Sequence, residues 1–113
     1  MKRFVTARPF TDTDMSSDIN SDILKTETAS ISNWQFNWEG VTGTGGALKI
    51  EGSNDGVNYI DTSITPPTIS GASGTGSIII PQDFQCWRFM RVAYTAGSVT
   101  AGTLNAYVHL KDL

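Results

Sequence analysis

Among 113 residues there is one cysteine, Cys86, and one histidine, His109. A single Cys builds neither an internal disulfide framework nor a cysteine-based zinc site. A single His leaves any triad-type mechanism with one possible imidazole base. Charge is scarce as well: 17% of residues are charged, and eight Lys and Arg against eleven Asp and Glu give a net charge of −3. With a pI near 4.8, nucleic acid and anionic membrane are disfavoured as partners. No apolar run approaches the ~18 residues of a membrane-spanning helix. The opening MKRFVTARPF is basic but lacks the apolar core of a signal peptide, so synthesis and assembly in the cytoplasm are expected.

What the chain does have is glycine, eleven in all, with abundant Ser and Thr and few strong helix formers. That composition points to short strands and turns. Asn33–Glu39, NWQFNWE, alternates strictly, with three aromatics on one face and amides and a carboxylate on the other, as in a half-buried strand. Glycines at 40, 43, 45 and 46 then lead into Ala47–Gly52. Pro66-Pro67 and GASGTG at 71–76 separate strands. Ser77–Ile80 is a short apolar strand stopped by Pro81. Trp87–Thr95 and Thr103–Leu110 are longer strands flanking a turn at Ala96-Gly97-Ser98. In the last strand Leu104, Ala106, Val108 and Leu110 share one face. The fold class expected is all-β, an antiparallel β-sandwich or jelly roll of about six to eight short strands. One sandwich domain is expected over residues 26–113. Residues 1–25, with scattered apolar positions and no clean period, are either a leader or first strand of the domain or an extended N-terminal arm ordered against a neighbouring subunit.

The stretch KIEGSNDGVNYID, 49–61, reads as a hairpin. Pairing Ser53 with Val57 sets Ile50 opposite Ile60 and Lys49 opposite Asp61, with Asn54, Asp55 and Gly56 forming a structural turn. Gly56 occupies the left-handed position. Asn54 and Asp55 offer too few oxygens for a calcium loop. Leu48–Asp61, followed by Trp87–Thr95 (WRFMRVAYT), a Gly/Thr-rich turn and Thr103–Lys111, resembles the core of small β-sandwich virion proteins of bacteriophages carrying a GSNDG hairpin. The likeness covers roughly residues 31–112. It implies a capsid decoration or cement, vertex or fibre-base protein, located in the virion and attached to a major capsid or tail protein. A second resemblance is to discoidin-like, galactose-binding jelly rolls, which implies a carbohydrate-binding module and a glycan partner. That family usually runs longer than this chain.

Enzyme readings fare poorly. His109 lies within an alternating strand, no Gly-x-Ser-x-Gly elbow exists, and no Lys-Ser/Thr pair or helix follows the glycines at 40–46. Neither cofactor nor metal is expected. Trp34, Trp38 and Trp87 are either core residues or platforms for stacking on a sugar, and the shared face of Trp34 and Trp38 favours the core. Arg88 and Arg91 lie three apart in an apolar strand and point to opposite faces, so at least one should meet a carboxylate or a subunit boundary. In the arm, Phe4, Val5, Phe10, Ile19, Ile23 and Leu24 are candidate assembly contacts, together with the two arginines. They would serve a homo-oligomer, with a trimer expected from the resemblance. On this reading, deleting residues 1–25 leaves the β-sheet circular dichroism signal intact and weakens assembly.

Overall fold

A computed structural model describes residues 4–26, 29–81 and 87–111. Among these there is no helix, and nine strands form two antiparallel sheets. The strands are β1 (Phe4–Asp14), β2 (Ile19–Asn20), β3 (Leu24–Lys25), β4 (Ile31–Thr42), β5 (Ala47–Ser53), β6 (Ile60–Asp61), β7 (Gly74–Ile80), β8 (Phe89–Thr95) and β9 (Ala101–Lys111). One sheet runs β1-β9-β4-β7; the other runs β2-β8-β5-β6, with β3 also pairing with β8. The protein is thus a β-sandwich.

Alternation in β4 dictates where its side chains go. Ser32, Trp34, Phe36 and Trp38 are buried, while Asn33, Gln35 and Glu39 face solvent. Across the ladder, β9 buries Leu104, Ala106, Val108 and Leu110. The opposing sheet contributes Ile50, Met90, Val92 and Tyr94. Full burial of aliphatic side chains of this kind is worth about 1.5–3 kcal/mol each, before conformational entropy is charged against it. Both indole N–H groups of β4 are satisfied: Trp34 Nε1 donates to Ser32 Oγ at 2.8 Å, and Trp38 Nε1 donates to the Ser70 carbonyl at 3.0 Å. The second bond fastens the loop between β6 and β7 to the core.

Of the two expectations for the N-terminal segment, Phe4–Asp14 follows the first strand of the domain. β1 pairs with β9 from Phe4↔Lys111 to Asp14↔Thr103, and Phe10 and Met15 lie in the core. The alternation expected of a strand is missing from its sequence because the register shifts twice, between Ala7 and Phe10 and between Phe10 and Thr13. Asp12 adopts a left-handed backbone with φ 45°. Downstream, Ser21 behaves as part of a ladder: its N–H donates to the Val92 carbonyl, and its Oγ accepts from Val92 N–H, both at 2.8 Å. Thr26 Oγ1 donates to the Trp87 carbonyl at 2.7 Å. Residues 4–26 therefore close one side of both sheets.

The 49–61 hairpin also differs from expectation. Glu51 pairs with Asp61 and Gly52 with Ile60, a register shifted by two residues, and Ile60 is exposed. Thr62 takes the place opposite Ile50, donating from both N and Oγ1 to its carbonyl. A long-range contact goes with this arrangement. A Cβ on Gly52 would fall inside the Trp87 ring, so the glycine gives that indole its seat. Trp87 is half-buried against the core.

Two outcomes are expected. Deleting residues 1–14 removes a strand of 11 residues and uncovers β9, so thermal unfolding should lose its cooperativity; an unchanged transition would contradict the placement of β1. Gly52→Ala should lower stability by about 1–3 kcal/mol through overpacking against Trp87, measured by urea denaturation, and Gly52→Ala with Trp87→Leu should recover part of the loss.

Candidate functional site

Three places hold the candidate residues, beginning with the hairpin tip. The Asp55 carboxylate is the hub of the turn. Its Oδ1 accepts from the backbone N–H of Val57 and of Asn58 and from Ser53 Oγ, all at 2.8 Å, and its Oδ2 accepts from Asn58 Nδ2 at 3.0 Å. Ser53 Oγ in turn accepts from Gly56 N–H at 2.9 Å. Gly56 has φ 76°, a conformation that favours glycine. Hydrogen bonds to the backbone of Asn58 and Val57 hold the Asp55 carboxyl far below the usual carboxylate range. Both of its oxygens accept hydrogen bonds from within the turn. Asn54 reaches outward: its Oδ1 accepts from Arg88 N–H at 3.2 Å and its carbonyl from Arg88 Nη1 at 3.3 Å. The tip is thereby tied to the start of β8.

The other arginine is also engaged within the chain. Arg91 Nε donates to Glu51 Oε1 at 2.8 Å, its cross-strand neighbour, and its guanidinium lies 4.1 Å from the centre of the Tyr59 ring. A partly exposed pair of this type contributes about 0–1 kcal/mol and mainly fixes geometry. Of the apolar candidates, Phe10 and Leu24 belong to the protein's own core. They are withdrawn as assembly contacts for that reason. Ile19 and Ile23 stay accessible, 42% and 50% exposed. Phe4 and Val5 lie on β1, with backbone pairing to Lys111 and Leu110.

Among the aromatics, Trp34 and Trp38 are buried at 0% and 5% exposure, so neither can offer a face to a sugar. Trp87 is occupied by Gly52. Among the residues whose side chains are described, the exposed aromatic is Tyr107, on the outer face of the β1-β9-β4-β7 sheet. There Thr6, Arg8, Asn33, Gln35, Tyr107 and His109 line an open depression of about 430 Å3. Arg8 lies over the Tyr107 ring at 4.6 Å, and its Nη2 donates to Asn105 Oδ1 at 2.6 Å. His109 has Asn33 and Thr6 as cross-strand neighbours. This amide-rich face was not among the sequence candidates. Its signal was present all the same, in the polar half of the alternations that revealed β4 and β9.

The acidic residues of the first segment also have structural tasks. Asp18 Oδ1 accepts from Ala96 N–H at 2.8 Å, Asp14 Oδ1 accepts from Ser16 N–H at 2.9 Å, and Asp12 Oδ1 accepts from Asn105 Nδ2 at 3.3 Å. The buried Tyr94 hydroxyl donates to the Met15 carbonyl at 2.9 Å. Burial, and then the negative charges of Asp18 and Asp14, push its pKa up. Cys86 lies outside the described residues. Among the described residues, no three His, Cys, Asp or Glu side chains gather in a way that could hold a metal ion.

No protein-family model matches the sequence, and no curated protein matches it. The likeness through the GSNDG hairpin is therefore carried by the residues alone. Solved structures do share the fold. A structure of the infectious bursal disease virus Gx strain superimposes over 98% of this chain with a TM-score of 0.60 at 12% identity. The VP2 subviral particle of the same virus matches over 98% with a TM-score of 0.52 at 11% identity. In both cases this chain spans 32% of the viral chain.

A pH signature follows from Asp55. Its pKa is lowered in the folded state, so its stabilisation is complete above the unfolded value of about 3.9 and is lost as pH falls below it. Asp55→Asn should lower the melting temperature at pH 7 and flatten its decline between about pH 5 and pH 2.5. Equal acid slopes for wild type and variant would show that the carboxylate is not the hub of the turn.

Proposed function

We propose that this chain is a structural component of a virion, an all-β piece that works by assembly with copies of itself and with a larger capsid or tail protein. The observation that carries the reading is the superposition of 98% of the chain on a virus structure with a TM-score of 0.60. The bacteriophage setting is supported by the GSNDG hairpin and the strands that follow it. Decoration or cement, vertex and fibre-base positions all suit a compact sandwich that is attached by surface area. The protein exposes 6208 Å2, and a standard interface needs about 800 Å2 from each partner, roughly an eighth of that surface. Adhesion of this kind requires no turnover. The one histidine lies on an open sheet face, and the Asp55 carboxylate is spent on its own turn, so we infer a non-catalytic role.

A second reading, glycan binding, has one observation in its favour: the amide-lined depression beside Tyr107. Against it, the Arg8 guanidinium already covers that ring, and stacking on a sugar would have to displace it.

Sedimentation with particles that lack the chain tests the first reading. The added protein should pellet with them, and Ile19→Asp combined with Ile23→Asp should weaken this at least about tenfold, since burying a charge in an interface costs more than 1.4 kcal/mol. Folding of that variant should be unchanged by circular dichroism. A protein that ignores the particles but binds defined sugars on an array, with binding lost in Tyr107→Ala, would transfer the assignment to the second reading.

A further inference from the structure

The two sheets have four edges, and three of them are defended. β1 carries two register shifts, Pro9 without an N–H, and charges at Arg8, Asp12 and Asp14. β2 and β3 on one side of the second sheet, and β6 on the other, are two residues long. Bulges, charge, proline and shortness are the devices by which sheet edges avoid pairing with other chains. β7 has none of these along its length, although Pro67 of the preceding loop packs against it at Gly76. Gly74–Ile80 reads GTGSIII: seven residues without charge or proline, paired to β4 from Trp38↔Gly74 to Ser32↔Ile80 with no register shift. Among the described residues, β4 is its only ladder partner, and no backbone hydrogen bond from the 62–73 loop reaches it. Ile79 on this strand is 60% exposed.

We propose that the free edge of β7 pairs antiparallel with β7 of a second copy of this chain, making one continuous eight-stranded sheet across a two-fold axis. Self-pairing needs a strand that complements itself, and this one does. With the axis at Ser77, Ile78 lies opposite Gly76, Ile79 opposite Thr75 and Ile80 opposite Gly74. Each bulky residue of one copy meets a small one of the other, and no charge meets its own image. The same register brings Pro81 beside Ser73, next to the depression of about 280 Å3 lined by Thr62, Ser63, Ile64, Ile80 and Pro81. The occupant is thus an uncharged extended strand of matching length, which a second copy supplies. This goes beyond the virion reading and stands independently of it.

Sedimentation equilibrium of the full chain decides the matter. Wild type should be a concentration-dependent dimer. Ser77→Lys places two cations against each other at the axis and should weaken dimerisation at least about tenfold, with unchanged circular dichroism because Ser77 is exposed. The register is tested separately. Thr75→Glu with Ile79→Lys should keep the dimer, and Thr75→Lys with Ile79→Lys should lose it. If Ser77→Lys impairs folding, this second comparison alone carries the test. A monomer or a trimer at all concentrations, or a dimer indifferent to these charges, overturns the proposal. Thr11→Lys on the opposite edge should leave the mass unchanged.

Discussion

Burial of Trp34, Phe36 and Trp38 along one face of β4 is the constraint from which the rest of the sandwich follows. A single strand that turns three large rings inward needs a second sheet to cover them, and Ile50, Val92 and Tyr94 provide it. It also needs neighbours with little side-chain bulk. A Cβ on Gly74 would overlap the Trp38 ring, and one on Gly76 would overlap Pro67. The glycines of β7 are therefore packing residues, with Pro67 of the preceding loop seated against Gly76. Because Trp38 also donates to the Ser70 carbonyl, that loop is anchored at its far end as well. One alternating heptapeptide accounts for a strand, a loop and the composition of an edge.

Elements whose information is local were legible in the sequence. β4 and β9 announced both faces through strict alternation, and the left-handed turn at Gly56 was marked by Asn-Asp-Gly. The rest depended on distant partners. β1 could not be told from an arm because its two register shifts and the left-handed Asp12 interrupt the period that would reveal a strand. The hairpin register was misjudged by apolar matching of Ile50 with Ile60. Asp55 organises a longer loop, and Trp87, thirty-five residues downstream of Gly52, occupies the space over that glycine. For Arg88 and Arg91 the chemistry was foreseeable, since at least one had to find a carboxylate. The identity of that carboxylate, Glu51, needed the β5–β8 register.

Polar groups in the first 26 residues illustrate how a segment poor in apolar residues can still be held. Ser21 and Thr26 add side-chain bonds to their backbone ones, to Val92 in β8 and to the Trp87 carbonyl just before it, and Asp18 caps the turn at Ala96. Each such bond contributes only about 0.5–1.5 kcal/mol net. Their combined effect is positional: they fix where Phe10 and Met15 enter the core. Sequence hydropathy underestimates such a segment because its attachment is written in hydroxyls and carboxylates.

The antiparallel pairing of β1 with β9 has a mechanical consequence. Phe4 lies opposite Lys111, so the two ends of the described chain leave the sheet side by side at one pole. A load pulling those ends apart would act across the ladder and open it pair by pair, like a zip, starting at the pole. A load applied along the strands would have to shear many hydrogen bonds together. The molecule is accordingly soft to tension between its ends and stiff to force along β4 and β9, an anisotropy that determines the direction from which it can be tethered.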